Sequence, residues 1–357
     1  MRQVQADWDR DGPPTVAAVS LGLAIGVFLV AAVIVVRSGT VLAAAGDQVA
    51  KRTGLGGLFV GTLLLAFATS LPELVTDITA AATGAPDLAV ADLFGSSMAN
   101  MAILAIVDLR HRGRVWPAVE LGHSRVAAVA IVLTALAALG LHTPPGAVIG
   151  WVGITPILIF TLYLAAVAWF RRTPSLSRVR VETPGIPIQK PTGWQPDRAP
   201  VSLRRVITRF CLAAAAILVA APVMTISAER ISGLTGIAQT SIGVILLAVT
   251  TSLPELAASL AAVRIGAHDL AVGNLFGSNA ANMAVLLFAD LAYTDGPILA
   301  AVSPTQTVAA LGAILLTALA VAAMVGGTET RIRRLEPDAV ILLIAYVGAL
   351  AAVTLVG

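Results

Sequence analysis

Ala68-Thr69-Ser70-Leu71-Pro72-Glu73 lies in the middle of one apolar run, and Thr250-Thr251-Ser252-Leu253-Pro254-Glu255 lies in the middle of another. A helix breaker and a carboxylate thus stand side by side, twice, where an apolar helix tolerates both least. Adding 182 to the first motif lands on the second: Thr69 on Thr251, Ser70 on Ser252, Pro72 on Pro254 and Glu73 on Glu255. The same offset runs on without a gap, so that Ala85–Leu109, APDLAVADLFGSSMANMAILAIVDL, aligns with Ala267–Leu291, AHDLAVGNLFGSNAANMAVLLFADL, with 16 of 25 positions identical. An internal repeat of this kind determines the architecture.

The chain has 357 residues, 57% hydrophobic and only 12% charged, outside the range of soluble globular domains. A span needs about 20 apolar residues to cross roughly 30 Å of hydrocarbon. On that criterion ten spans fall near 16–36, 55–82, 88–109, 125–142, 147–170, 206–228, 237–263, 270–292, 305–325 and 337–356. The first follows a polar segment, 1–15, and is too long for a signal-peptide core, so it is read as a retained helix. Between the fifth and sixth spans, 171–203 holds Pro174, Pro184, Pro187, Pro191, Pro196 and Pro200 with many arginines and reads as an extended linker. The divisions are therefore 1–15, a first five-helix unit over 16–170, the linker 171–203 and a second unit over 204–357. Five helices, an odd number, separate equivalent points, so the second copy enters the membrane upside down. The predicted fold is an all-α integral membrane protein of ten transmembrane helices in two inverted five-helix repeats.

Orientation follows from the basic residues, which are retained on the cytoplasmic side. One set of alternate loops, which includes Arg37, Lys51, Arg52, Arg110, Arg125, Arg264 and Arg331, holds 20 of them, and the other holds Arg2, Arg10 and Arg230. Both termini are expected outside and the 171–203 linker in the cytoplasm. The net charge of +3 is then a topology signal and calls for no nucleic-acid partner. Basic residues that are almost all arginine, with abundant Ala, Gly and Pro, point to a GC-rich bacterial genome and hence to a bacterial plasma (inner) membrane. The single cysteine, Cys211, excludes an internal disulfide and a cysteine metal centre, and reads as a small helix filler. His111, His123, His142 and His268 fall in loops or at helix ends and support no histidine site.

Pro72 and Pro254 have no N–H, so the carbonyls of Ala68 and Thr250 lose their helical partners. In lipid this is tolerated only where something else uses those oxygens, and a cation does so. The hydroxyls of Thr69, Ser70, Thr251 and Ser252 add neutral oxygens in the same turns. Glu73 and Glu255, at a cost of ~3 kcal/mol or more each at the bilayer centre, require a positive partner, and no lysine or arginine lies in the middle of these helices. A hard metal cation such as calcium fits two carboxylates among neutral oxygens. In the next helix Asp92, Ser96 and Asn100 share one face, as do Asn274, Ser278 and Asn282. Taken singly, Ser and Asn could simply bond helices together; their recurrence at one offset from a buried glutamate favours a binding role. Gly95 and Gly277 allow the close approach that a shared site needs. Asp77, one turn beyond Glu73, is a candidate third carboxylate of the pathway, although its counterpart is Ser259. Asp108 and Asp290 near helix ends suggest solvated or dipole-related roles, and Asp87 and Asp269 suggest N-caps.

At these residues the chain resembles the sodium/calcium exchanger membrane region of the calcium/cation antiporter superfamily. The matching segments are GTLLLAFATSLPE with DLFGSSMAN and GVILLAVTTSLPE with NLFGSNAAN, about a third of the chain, within a ten-helix layout that agrees over nearly all of it. The resemblance implies an antiporter that exports calcium in exchange for sodium by alternating access, with the first and sixth helices sliding over the other eight. It implies Glu73 and Glu255 as central calcium ligands. It further implies Thr69, Ser70, Thr251, Ser252, Ser96 and Ser278 along the calcium and sodium sites, and Asn100 and Asn282 completing the cluster. The well-studied exchangers carry aspartate at the position of Asn282, so the coupling ion stands open between sodium and protons, with Asp77 or Asp92 able to restore the charge. The implied partners are inorganic cations and the lipid bilayer; no cofactor is implied, and oligomeric state leaves no mark in the sequence. A passive channel or an intramembrane enzyme are the remaining classes. The second lacks a His-Glu-x-x-His, a Gly-x-Ser-x-Gly or paired aspartate-rich motifs.

Overall fold

The computed structural model describes residues 14–110, 122–142, 148–172, 202–235, 251–326 and 337–356. The linker prolines, Arg112, Arg114, His111, Arg331 and Thr250, with the rest of the first half of the seventh span, lie outside the described residues. The helices are α1 (Pro14–Thr53), α2 (Gly56–Ala82), α3 (Pro86–Arg110), α4 (His123–Gly140) and α5 (Ile154–Arg172) in the first copy. The second copy contributes α6 (Leu203–Thr235), α7 (Leu253–Arg264), α8 (His268–Ala292), α9 (Gln306–Gly326) and α10 (Pro337–Val356). Among the described residues nine of these are long and apolar enough to cross a membrane. The exception is α7, whose described part starts at the second motif.

The repeat seen in the sequence is repeated in backbone detail. α3 and α8 each have 25 residues and start 182 positions apart. The turns leading into them are the same device. Ala85 N–H bonds the Ala80 carbonyl at 2.8 Å and Gly84 N–H that of Ala81 at 3.1 Å, while Ala267 bonds Ala262 at 2.9 Å and Gly266 bonds Val263 at 3.0 Å. These paired bonds close a helix through a left-handed residue, and Gly84 and Gly266 supply it at φ 80° and 78°. A side chain at either place would strain the turn that orients α3 or α8 toward the motif helix.

α8 is the hub: it packs on α2, α3, α4, α5 and α7. Both α3 and α8 are enclosed along most of their length, and α10 is largely bare, as expected of a lipid-facing helix. α1 and α6 lie along each other and otherwise meet mainly α2 and α7, forming a separate layer against the motif helices.

Several expectations are corrected. Arg37 does not follow the first span in a loop; α1 is one helix of 40 residues to Thr53, with Arg37 exposed on its side. Forty residues extend about 60 Å, twice the hydrocarbon thickness, so α1 must tilt or project beyond it. The fifth span begins only at Ile154, because Val148–Ile149 and Val152–Gly153 form a small antiparallel ladder turning at Gly150. Asp290, expected to have a solvated or dipole-related role, is buried and accepts hydrogen bonds from Gly153 N at 2.7 Å and Ile298 N at 2.6 Å. It ties that ladder and the turn Ile298–Ala301 to the end of α8, and Asp108 is buried likewise. Bonds from two amides to one carboxylate contribute about 1.5–3 kcal/mol each, so Asp290→Ala is expected to lower stability by about 3 kcal/mol or more. Thermal unfolding of the detergent-purified variant checks this.

Asp87 and Asp269 are not N-caps either. They stand inside the first turns of α3 and α8. Asp87 Oδ1 accepts from Ser303 N at 2.8 Å, and Asp269 Oδ1 lies 3.1 Å from Nε2 of His123, whose ring is fully buried despite its place at a helix end. Cys211 is exposed on α6.

Candidate functional site

The two motifs meet between α2, α3, α7 and α8. In α2 a π-helical turn, Val60–Leu65, precedes the motif. Such wide turns are rare and concentrate at functional sites. Here the turn lies against α8 at nearly backbone contact: a Cβ on Gly277 would fall 2.3 Å from the Thr62 carbonyl oxygen, and one on Gly61 would fall 2.7 Å from that of Leu270. Gly277 thus meets the expectation of close approach. At Gly95 an added Cβ would meet nothing within 4 Å among the described residues, so no close approach is seen there.

Pro72 lies inside α2, offering no amide one turn back, and Pro254 is the second residue of α7, whose N-cap Ser252 has a φ of −88° and ψ of 6° that leave the helical range. From these turns the side chains cross between copies. Ser70 Oγ is 3.2 Å from Glu255 Oε1 and 3.1 Å from Ser278 Oγ. Thr69 Oγ1 is 3.2 Å from Asn274 Oδ1, and also 3.2 Å from the carbonyls of Leu65 and Ala66, which compete for its single hydrogen. The Ser70 and Ser96 hydroxyls lie beside the Glu73 carboxylate, and Glu73 and Glu255 act on each other electrostatically.

Thr69, Ser70, Glu73, Ser96, Asn100, Ser252, Glu255, Ser278 and Asn282 are all buried, and Thr251 and Asp92 partly so. Several of their atoms have no hydrogen-bond partner among the described residues: both oxygens of Glu73, Oε2 of Glu255, the hydroxyls of Ser96 and Ser252, Oδ1 of Asn100 and both amide atoms of Asn282. Such orphaned groups cost free energy unless a ligand engages them. No basic side chain stands in the middle turns of α2, α3, α7 or α8. Among the described residues no three His, Cys, Asp or Glu side chains form a metal centre by themselves. The donor set is mixed instead, with two carboxylates among hydroxyl and amide oxygens, as a hard cation prefers.

Asn279 was not anticipated. Its Nδ2 donates to the Ser97 carbonyl at 3.1 Å and lies 3.4 Å from Thr317 Oγ1, and its Oδ1 receives Asn100 Nδ2 at 3.0 Å. It fixes the amide of Asn100 so that Oδ1 is left over for the pocket. The only signal for it was the mismatch of Ser97 with Asn279 inside the DLFGSSMAN block, which otherwise differs from NLFGSNAAN only at Asp92/Asn274 and Met98/Ala280.

Comparison with known proteins gives a consistent picture. The profile of the family described as sodium/calcium exchanger protein matches residues 23–169 and 206–355. CaxA of Alkalimonas amylolytica is 29% identical over 309 residues, 85% of this chain and 89% of its own. The inner membrane protein YrbG of Escherichia coli (strain K12) is 29% identical over 289 residues, 77% of this chain and 82% of its own. A solved structure of the sodium-calcium exchanger NCX_Mj, soaked with 10 mM Na+ and zero Ca2+, superposes with a TM-score of 0.70 over 93% of this chain and 99% of that one, at 20% identity. That last likeness concerns the fold.

Proposed function

The chain belongs to the sodium/calcium exchanger family, a family of multi-pass membrane cation antiporters and not of enzymes, and from that premise we propose that it exports calcium in exchange for sodium. The observation that carries this is the pairing of Glu73 and Glu255, one from each copy, buried with orphaned oxygens and no basic side chain in the turns around them. Calcium takes six to eight oxygens, and the pocket offers the two carboxylates with the hydroxyls of Thr69, Ser70, Ser96, Thr251, Ser252 and Ser278 and the amides of Asn100 and Asn282. Sodium competes for the same hard oxygens, so both ions cannot be fully bound at once, which is the condition for coupled exchange. Access alternates as the α1 and α6 layer shifts over α2 and α7, the helices it packs against. The protein lies in a bacterial inner membrane with both termini outside and the 171–203 linker cytoplasmic, an orientation supported by the basic residues. The units 16–170 and 204–357 act as the two halves of the exchanger.

A second reading, proton-coupled exchange, draws on Asn100 and Asn282, which leave the central cluster with only two carboxylates. Reconstitution into liposomes separates the two. Calcium uptake is expected to follow an imposed sodium gradient and to ignore a proton gradient of the same size. Uptake that follows only protons selects the second reading, and uptake that needs neither gradient overturns antiport.

A further inference from the structure

The 182-residue offset also pairs Asp77 with Ser259 and Asp92 with Asn274. In the second copy this pair is neutral and bonded: Asn274 Nδ2 donates to Ser259 Oγ at 3.1 Å, while its Oδ1 lies 3.2 Å from the Thr69 hydroxyl. In the first copy the same two places on α2 and α3 hold carboxylates that face each other. Asp77 is 0% exposed and neither of its oxygens has a hydrogen-bond partner among the described residues. Asp92 also has one enclosed oxygen without a partner, but its residue is partly open. The packing itself needs no charge here, since Ser259 and Asn274 fill the equivalent space without one. Two converging carboxylates, one of them fully enclosed, repel each other, and no lysine or arginine lies on α2 or in α3 before its last residue.

We infer that Asp77 and Asp92 form an accessory cation site, absent from the second copy, that takes sodium. It lies one turn, about 6 Å along α2, from Glu73. A second divalent ion so close to the first would meet strong repulsion; a single charge holds the two carboxylates together at half that repulsion. With the basic loops inside, α2 runs outward, so the pair stands on the outer side of Glu73, where sodium enters during calcium export. The partly open Asp92 gives the ion a path in, and the enclosed Asp77 forms its floor.

This inference rests on the antiport reading and is tested apart from it. Asp77→Ser with Asp92→Asn installs in the first copy the pair that Ser259 and Asn274 already form, so the fold has a working precedent; Asp77→Asn serves as a second, near-isosteric variant. Equilibrium binding of 22Na+ to purified protein without calcium counts ions directly. Both variants are expected to bind about one sodium fewer per protein, and the sodium dependence of calcium uptake in liposomes to lose steepness. An unchanged sodium count overturns the inference, as does a change only in proton release, which would mark the pair as a shared-proton dyad. Absence of sodium-driven calcium uptake in the unaltered protein overturns the sodium-exchange reading on which the inference rests, and is a different result.

Discussion

Glu255→Gln and Glu73→Gln are each expected to reduce sodium-driven calcium uptake about 100-fold or more without unfolding the protein. Glutamine keeps the shape of glutamate and can still accept from Ser70, the contact that Glu255 makes at 3.2 Å. What disappears is half of the central charge. A hundredfold loss corresponds to about 2.7 kcal/mol, well below what a unit charge contributes beside a divalent ion in a water-poor pocket. Ion-free protein should tolerate the change, because an orphaned buried carboxylate costs more than an amide. A ligand at 100 times its dissociation constant stabilises a fold by about 2.7 kcal/mol, so calcium should raise the melting temperature of the unaltered protein and hardly that of either variant. Normal transport by both variants would mean that the cation does not sit between the motifs.

The second large effect comes from a residue with no donor atom. Gly277→Ala would put a methyl 2.3 Å from the Thr62 carbonyl oxygen, 2.7 Å from its Cα and 2.8 Å from its carbonyl carbon. Those are backbone atoms of the π turn, so no side chain can rotate away, and overpacking of this kind costs about 1–3 kcal/mol or more. The displacement acts where it matters, since Ser278, the next residue, meets Ser70 at 3.1 Å. Loss of thermal stability together with loss of calcium uptake is expected. Gly348→Ala on α10, where the added methyl meets nothing within 4 Å, should be neutral or slightly stabilising. If Gly277→Ala behaved like Gly348→Ala, the close crossing of α2 and α8 would not be what positions Ser278.

Most of the architecture was legible because lipid imposes a strong rule on sequence: long apolar runs, few charges, and charges only where they are used. Glu73 and Glu255 stood out for that reason, and the offset of 182 turned them into a pair. What stayed hidden depends on geometry that periodicity does not encode. Arg37 looked like a loop residue, yet an arginine on the exposed side of a tilted helix does not end it. The π turn at Val60–Leu65 leaves no residue signature beyond Gly61. Asp87, Asp269 and Asp290 were placed correctly at helix ends, but their partners, Ser303, His123, Gly153 and Ile298, come from distant chain segments. Asn279 was masked by its neighbours Ser278 and Asn282, which share the face that the repeat made conspicuous.

The hydrogen bond from Asn279 to the carbonyl of Ser97 joins a residue to its own counterpart, 182 positions away. Such a contact must straddle the pseudo-twofold axis that relates the inverted halves. When an exchanger of this symmetry swaps the conformations of its halves, every off-axis pair of residues trades places with its image, but a pair on the axis maps onto itself. On the proposed alternating-access reading, Ser97 and Asn279 would be the fulcrum common to both states, and Asn100, held by Asn279 at 3.0 Å, would keep one position while the ion met first one side of the membrane and then the other.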